Sequence, residues 1–161
     1  MDSISTDNMR KFWMNLLAVV VSYFAIALTI VITYNLAYLI LGAEGSYQTD
    51  SWNVSTTWVI LSIIVGLGSA WLGGKICTRI AGNHVAAKYL IALIIVLGIV
   101  TAMTTNQGEM ETVREVTPSM MEAATKSIQP MWLVWLNPLL GALGVGIGSG
   151  LLNAGSGKNS E

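Results

Sequence analysis

The stretch V-W-L-N-P-L-L-G-A-L-G-V-G-I-G-S-G-L-L, residues 134–152, carries glycine at every second position from Gly144 to Gly150. Such alternation belongs to strands, whose side chains repeat every two residues. Yet the stretch is apolar and long enough to cross a bilayer, where an isolated strand would leave its backbone polar groups unpaired. A helix satisfies that backbone internally. Each helical step turns about 100°, so residues two apart point nearly opposite ways. The alternation then makes two small-residue faces, one with Asn137, Gly141, Gly144 and Gly148, the other with Ala142, Gly146, Ser149, Gly150 and Asn153. Leu139, Leu143, Ile147 and Leu151 form a bulky third side suited to lipid. Helices in a bilayer associate through close contact of small residues, because lipid tails are as apolar as leucine. Two such faces call for two close neighbours and put this helix at the centre of a bundle. Pro138 removes one backbone donor within it, so a kink is expected, with the Asn137 amide bonding the freed carbonyl.

The rest of the chain supplies the neighbours. Apolar segments run over about residues 12–41, 56–76, 86–103 and 131–153. Each is near or above the ~17–25 residues that span a bilayer. The first exceeds that length and must tilt or project. It is too long for a signal-peptide core, and Gly42-Ala43-Glu44 is a poor cleavage site, so it reads as a retained span. Of 161 residues, 53% are hydrophobic and only 11% charged, against about 25% charged in soluble domains. The expected fold is all-α: an integral membrane four-helix bundle forming one domain over residues 1–153, followed by a flexible tail over 154–161.

Lysine and arginine set the expected orientation. Arg10 and Lys11 precede the first span, Lys75, Arg79 and Lys88 flank the second connection, and Lys158 lies in the tail. The opposite side has Arg114 and Lys126 among Glu44, Asp50, Glu109, Glu111, Glu115 and Glu122. Both termini are therefore expected in the cytoplasm, N-in and C-in. The connection between spans three and four contains T-P-S-M-M-E-A-A-T-K-S-I, in which Ser119 and Glu122 make a capping-box pattern. A short amphipathic helix on the outer membrane surface is expected there, with Met120, Met121, Ala124 and Ile128 on one side.

The second span repeats the small-residue theme with Ser62, Gly66, Ser69, Ala70, Gly73 and Gly74 along one broad side. Its V-G-L-G-S-A-W-L (residues 65–72) matches V-G-I-G-S-G-L-L (residues 145–152). The match suggests two duplicated helical hairpins related by an axis along the membrane normal; chance likeness between glycine-rich runs is the alternative. Duplication would bring the Gly66/Ser69/Ala70/Gly73 face against Gly146, Ser149, Gly150 and Asn153. The first span carries Asn15, Ala18, Ser22, Ala25, Thr29 and Thr33 at steps of three or four, a seam for helix packing. The sharper reading is a polar pathway through Asn15, Ser22, Thr29 and Asn137. The third span is nearly featureless and is expected to be the most lipid-exposed.

Most chemistry is absent. No Asp, Glu, Lys, Arg or His lies in the middle of a span, where proton relays and ion-coupled transporters place them. Small four-span multidrug exporters need a glutamate in the first span, and this span has none. Cys77 and His84 are the only residues of their kinds, which leaves no disulfide within the chain, no C-x-x-C pair and no Cys/His metal site. No phosphate-cradling loop matches, a net charge of −1 gives no reason to expect nucleic acid, and no cofactor is expected.

From G-S-A-W-L-G-G-K-I-C-T-R-I-A-G (residues 68–82), through the third span, to W-L-N-P-L-L-G-A-L-G (residues 135–144), the chain resembles a loose class of uncharacterised small bacterial four-span membrane proteins. They share a small-residue span, a paired glycine and a basic turn. The resemblance covers roughly the last two-thirds of the chain. It implies the bacterial inner membrane and carries over no catalytic residue.

The functional expectation is a non-enzymatic membrane scaffold or accessory subunit, packing through its glycine faces as a homo-oligomer or within a larger complex, among membrane lipids. The alternative is a transporter or channel for a neutral or lipid-like solute.

Overall fold

The computed structural model describes residues 2–105 and 118–152, without the side chains of residues 2–6, 120 and 124. The expected tail over 154–161, Asn153 and the acidic residues Glu109, Glu111 and Glu115 lie outside the described residues. Among the described residues five helices follow one another: α1 (Asp2–Ser46), α2 (Thr56–Ala81), α3 (Val85–Thr104), α4 (Met120–Lys126) and α5 (Met131–Gly148). All but α4 are long and apolar enough to cross a membrane. Among the described residues there is no strand, only isolated bridges joining Tyr47 to Val54 and Asn53 to Ile128.

Local signals explain the helix ends. Ser55 caps α2 by accepting the Trp58 N–H at 3.1 Å. Gly82, in the left-handed region, ends it by donating its N–H to the Thr78 carbonyl. α1 begins well before residue 12 and bends at Gly42, whose φ of 64° only glycine adopts without strain. Up to that bend α1 is roughly 60 Å long, about twice the hydrocarbon core. The Asn83 side chain donates to Asn15 Oδ1 at 2.9 Å, which ties the α2–α3 turn to α1. Residues 2–14 therefore run on past the bundle for roughly 20 Å.

α5 is shorter than the expected 131–153. The Ser149 N–H reaches the Val145 carbonyl, Gly150 takes a φ of 76°, and the Gly150 N–H reaches the Ile147 carbonyl. Gly150 is thus a helix stop. The chain turns back so that a Cβ on Gly146 would meet only Leu152, at 3.5 Å. The two matching octapeptides therefore differ in conformation: 65–72 is helix interior, and 145–152 contains a helix end.

The central place belongs to α2, not to α5. α2 packs on α1 and α5 and, less extensively, on α3, whereas α5 packs chiefly on α2 and α3. α5 divides its neighbours along its length. Pro138 and Gly141 sit against Gly98 and Ile94 of α3, while Gly144 and Gly148 sit against Ala70 and Trp71 of α2. The buried core at the α2–α3 turn end contains Ala18, Cys77, Ala86, Ala87, Leu90 and Val145. Leu139, Leu143 and Ile147 are exposed, as a lipid-facing side requires. The apolar stretches of α1 and α3 are equally the least buried, so α3 shares the most exposed position with α1.

At the far end, a second cluster closes the bundle. It joins Ala43, Tyr47, Trp52, Val54, Ala123 and Ile128. Backbone bonds from Val54 N–H to the Ile128 carbonyl (3.1 Å) and from Ile128 N–H to the Trp52 carbonyl (2.9 Å) stitch its two loops together. The Tyr47 hydroxyl donates to the Ala123 carbonyl and the Tyr38 hydroxyl to the Pro118 carbonyl, both at 2.8 Å. α4 has the expected capping box; Ala123 and Ile128 face the bundle, and Met121 is exposed on the other side. The two tyrosine bonds tie the middle of α4 and the residue before its cap to the bundle.

Candidate functional site

Of the expected contact between the Gly66 face and the Gly146 face, neither Gly66 nor Gly146 takes part. α2 meets α5 along a neighbouring stripe that shares Ala70 and Ser149 with the expected faces. A Cβ on Gly74 would lie 2.5 Å from the Val145 carbonyl oxygen, and one on Gly144 would lie 2.6 Å from Ala70 Cβ and 2.8 Å from the Leu67 carbonyl oxygen. Gly148 approaches the Trp71 backbone, and Gly73 approaches Ile26 of α1. These contacts occupy the glycine faces inside the bundle. Gly66 and Gly68 are different, because a Cβ on either would meet nothing within 4 Å.

At Gly66 the four spans part. A groove of about 240 Å³ lies there, with Gly66, Ser69 and Ala70 from α2, Asn137, Pro138 and Gly141 from α5, and flanks from α1 and α3 that include Tyr23, Ile26, Gly98 and Thr101. Its walls are mostly apolar. Ser69 is turned back on its own helix, donating to the Gly66 carbonyl at 3.2 Å. The Asn137 side chain is exposed at the groove and makes no hydrogen bond to the carbonyl freed by Pro138. Packing of the proline ring on Gly98 holds the helix here without that bond.

The four residues of the expected polar pathway lie in separate settings. Asn15 accepts from Asn83 at the turn. Ser22 is wholly buried beside Cys77. The Thr29 hydroxyl donates to the Ala25 carbonyl at 2.7 Å. Asn137 alone of the four lines the groove. Sequence reasoning placed Gly74 on the small-residue side of α2 but missed Gly98 and Thr101. Gly98 had a signal: it is the one glycine in the otherwise bulky third span.

A second hollow, of about 220 Å³, lies at the α4 end. It is lined by Tyr34, Asn35, Tyr38, Tyr47, Trp58, Ala123, Ser127 and Gln129. Tyr34 and Trp58 stack with centroids 5.6 Å apart. At the edge of this end, Ser119 donates its N–H and its hydroxyl to Glu122 Oε2, each at 3.0 Å. Those bonds, the backbone one foremost, hold the Glu122 carboxyl below the ordinary glutamate range, helped by Lys126. No group of three or more His, Cys, Asp or Glu that could hold a metal occurs among the described residues.

Comparison with protein-family models, with curated proteins and with solved structures returns no significant match to this chain.

Proposed function

We propose that the protein handles a neutral, lipid-like molecule in the groove between its four spans, by binding and without covalent chemistry. The observation that carries this reading is the groove floor at Gly66, where a glycine leaves space that no neighbour fills. At Gly73, Gly74, Gly98, Gly141, Gly144 and Gly148 the spans close on their glycines. The size supports a chain over a helix: a helix about 10 Å across would fill 240 Å³ in roughly 3 Å of its length. The exposed Asn137 amide adds a polar group to a groove also lined by Tyr23, Ser69 and Thr101, and in hydrocarbon it is costly unless a ligand or headgroup bonds it.

In this reading the chain sits in a bacterial inner membrane with both termini in the cytoplasm. Arg10, Lys11, Lys75, Arg79 and Lys88 gather at the α2–α3 turn end, which suits the cytoplasmic side. The test is a photoactivatable lipid with its reactive group on the acyl chain. Saturable labelling of residues 94–101 and 137–141, competed by unlabelled lipid, is the expected result. Uniform, uncompeted labelling that follows exposed leucines such as Leu139 and Leu143 would refute it.

A second reading, an accessory subunit of a larger membrane complex, is favoured by one observation. The α1 extension exposes Met9, Phe12 and Trp13, with Phe12 62% and Trp13 60% exposed. Gentle extraction that yields a stoichiometric second polypeptide, lost on Phe12→Ser/Trp13→Ser substitution, would support it; extraction of the chain alone would count against it.

A further inference from the structure

The hollow at the α4 end is separate from the groove, and its chemistry is different. Aromatic rings from three segments meet there: Tyr34 and Tyr38 from α1, Tyr47 from the loop after it, and Trp58 from α2. None of its lining residues is charged. Two of the tyrosine hydroxyls already serve the fold, Tyr38 on the Pro118 carbonyl and Tyr47 on the Ala123 carbonyl. What those residues offer the hollow is therefore ring surface more than hydrogen-bonding capacity. The amide of Asn35 is likewise turned on its own helix, donating to the Val31 carbonyl at 2.7 Å.

Ring faces carry partial negative charge and attract cations, most strongly cations too bulky to be well hydrated. The surroundings have the matching sign: among the described residues Glu44, Asp50 and Glu122 lie at this end. The local lysine, Lys126, is engaged elsewhere: its Nζ lies 5.2 Å from the Trp52 ring centre and 3.8 Å from the Glu122 carboxylate. An anion has no partner in this hollow. A polyhydroxylated ligand would need several side-chain donors, and those of Asn35, Tyr38 and Tyr47 are already spent on the fold.

We propose that this hollow is an aromatic cage for an organic cation of the quaternary ammonium class. About 220 Å³ accommodates a trimethylammonium group. The cation has two conceivable sources, a choline lipid headgroup at the membrane interface and a free solute, and both present the same chemistry to the rings. The inference does not depend on the groove reading, because it concerns different residues and a different ligand.

The experiment uses the full chain in nanodiscs made only of phosphatidylglycerol. Choline and its neutral isostere 3,3-dimethylbutan-1-ol are titrated by calorimetry. Saturable choline binding, roughly tenfold tighter than the isostere, is expected from ring–cation attraction. Trp58→Phe, checked by an unchanged melt, weakens choline binding and leaves the isostere unaffected; Tyr34→Leu does the same if Trp58→Phe disturbs the fold. Equal affinity for choline and the isostere, or no saturable binding of either, overturns the proposal. Repeating the titration in phosphatidylcholine nanodiscs separates the sources. Loss of free-choline binding there identifies the lipid headgroup as occupant, and unchanged binding identifies a free solute.

Discussion

Gly144 of α5 lies against Ala70 of α2 so closely that a Cβ added at position 144 would come within 2.6 Å of the Ala70 Cβ. Together with Gly74 over the Val145 carbonyl, this contact locks the two most buried spans together. The obstacle at both positions includes backbone, which cannot turn aside as the end of a long side chain can. Gly144→Ala and Gly74→Ala are each expected to cost about 1–3 kcal/mol, the usual range for overpacking a close contact. Melting in a mild detergent checks this, and wild-type-like melting of both variants would contradict the packing.

Gly66 should behave in the opposite way. Nothing stands within 4 Å of a Cβ built there, so Gly66→Leu is expected to fold with a melt at or near that of the wild type. A loss of stability matching that of Gly144→Ala would mean that the groove is closed.

Gly150 is held at a φ of 76° where α5 stops. A residue with a Cβ is strained there by about 1–2 kcal/mol. Gly150→Ala should therefore destabilise although a Cβ at this position meets only His84 Cε1, at 3.8 Å. Gly150→Asn should recover part of the loss, because asparagine tolerates the left-handed region better than alanine. Equal melts of the alanine and asparagine variants would contradict a conformational cause.

The Tyr47 hydroxyl bond to Ala123 is buried and reaches across 76 residues of sequence. Tyr47→Phe keeps the ring and leaves the Ala123 carbonyl without this donor, at a cost of about 0.5–1.5 kcal/mol. The loss should be local to α4. Hydrogen exchange over residues 120–126 should quicken while exchange over α2 stays unchanged.

Glu122 makes the start of α4 acid-sensitive. Its carboxyl sits below the ordinary range because the Ser119 N–H, the Ser119 hydroxyl and Lys126 all favour the charged form. A group whose folded pKa is lowered contributes stability above its unfolded value and loses it as pH falls through the folded value. The cap is therefore fully present at neutral pH and declines below about pH 4.3. Protection factors over α4, taken relative to the intrinsic exchange rate at each pH, should fall on acidification through that range, and Glu122→Gln should remove the dependence.

The long helices were readable because a bilayer imposes length and apolarity on each span. The start of α4 was readable because Ser119 and Glu122 form a local pattern. The register of α2 on α5 was not. Gly66, Ala70, Gly73 and Gly74 are all small and lie on neighbouring stripes of one helix, and only the crossing of two helices chooses among them. Gly150 misled for a related reason: glycine suits both a close helix contact and a left-handed turn, and its letter is the same in both. The α4-end cluster was hidden because Tyr47, Trp52, Val54 and Ile128 come from irregular segments that show no periodicity. The polar stripe of α1 looked like a pathway, yet Thr29 bonds its own helix and Asn15 clamps a turn.

The most direct test of lipid handling is native mass spectrometry of the wild type and of Gly66→Leu, both extracted gently from the membrane in which they are made. The account predicts a discrete lipid-sized increment on the wild type and its loss from a Gly66→Leu variant that melts normally. The same increment on both proteins would place the lipid outside the groove and contradict the account.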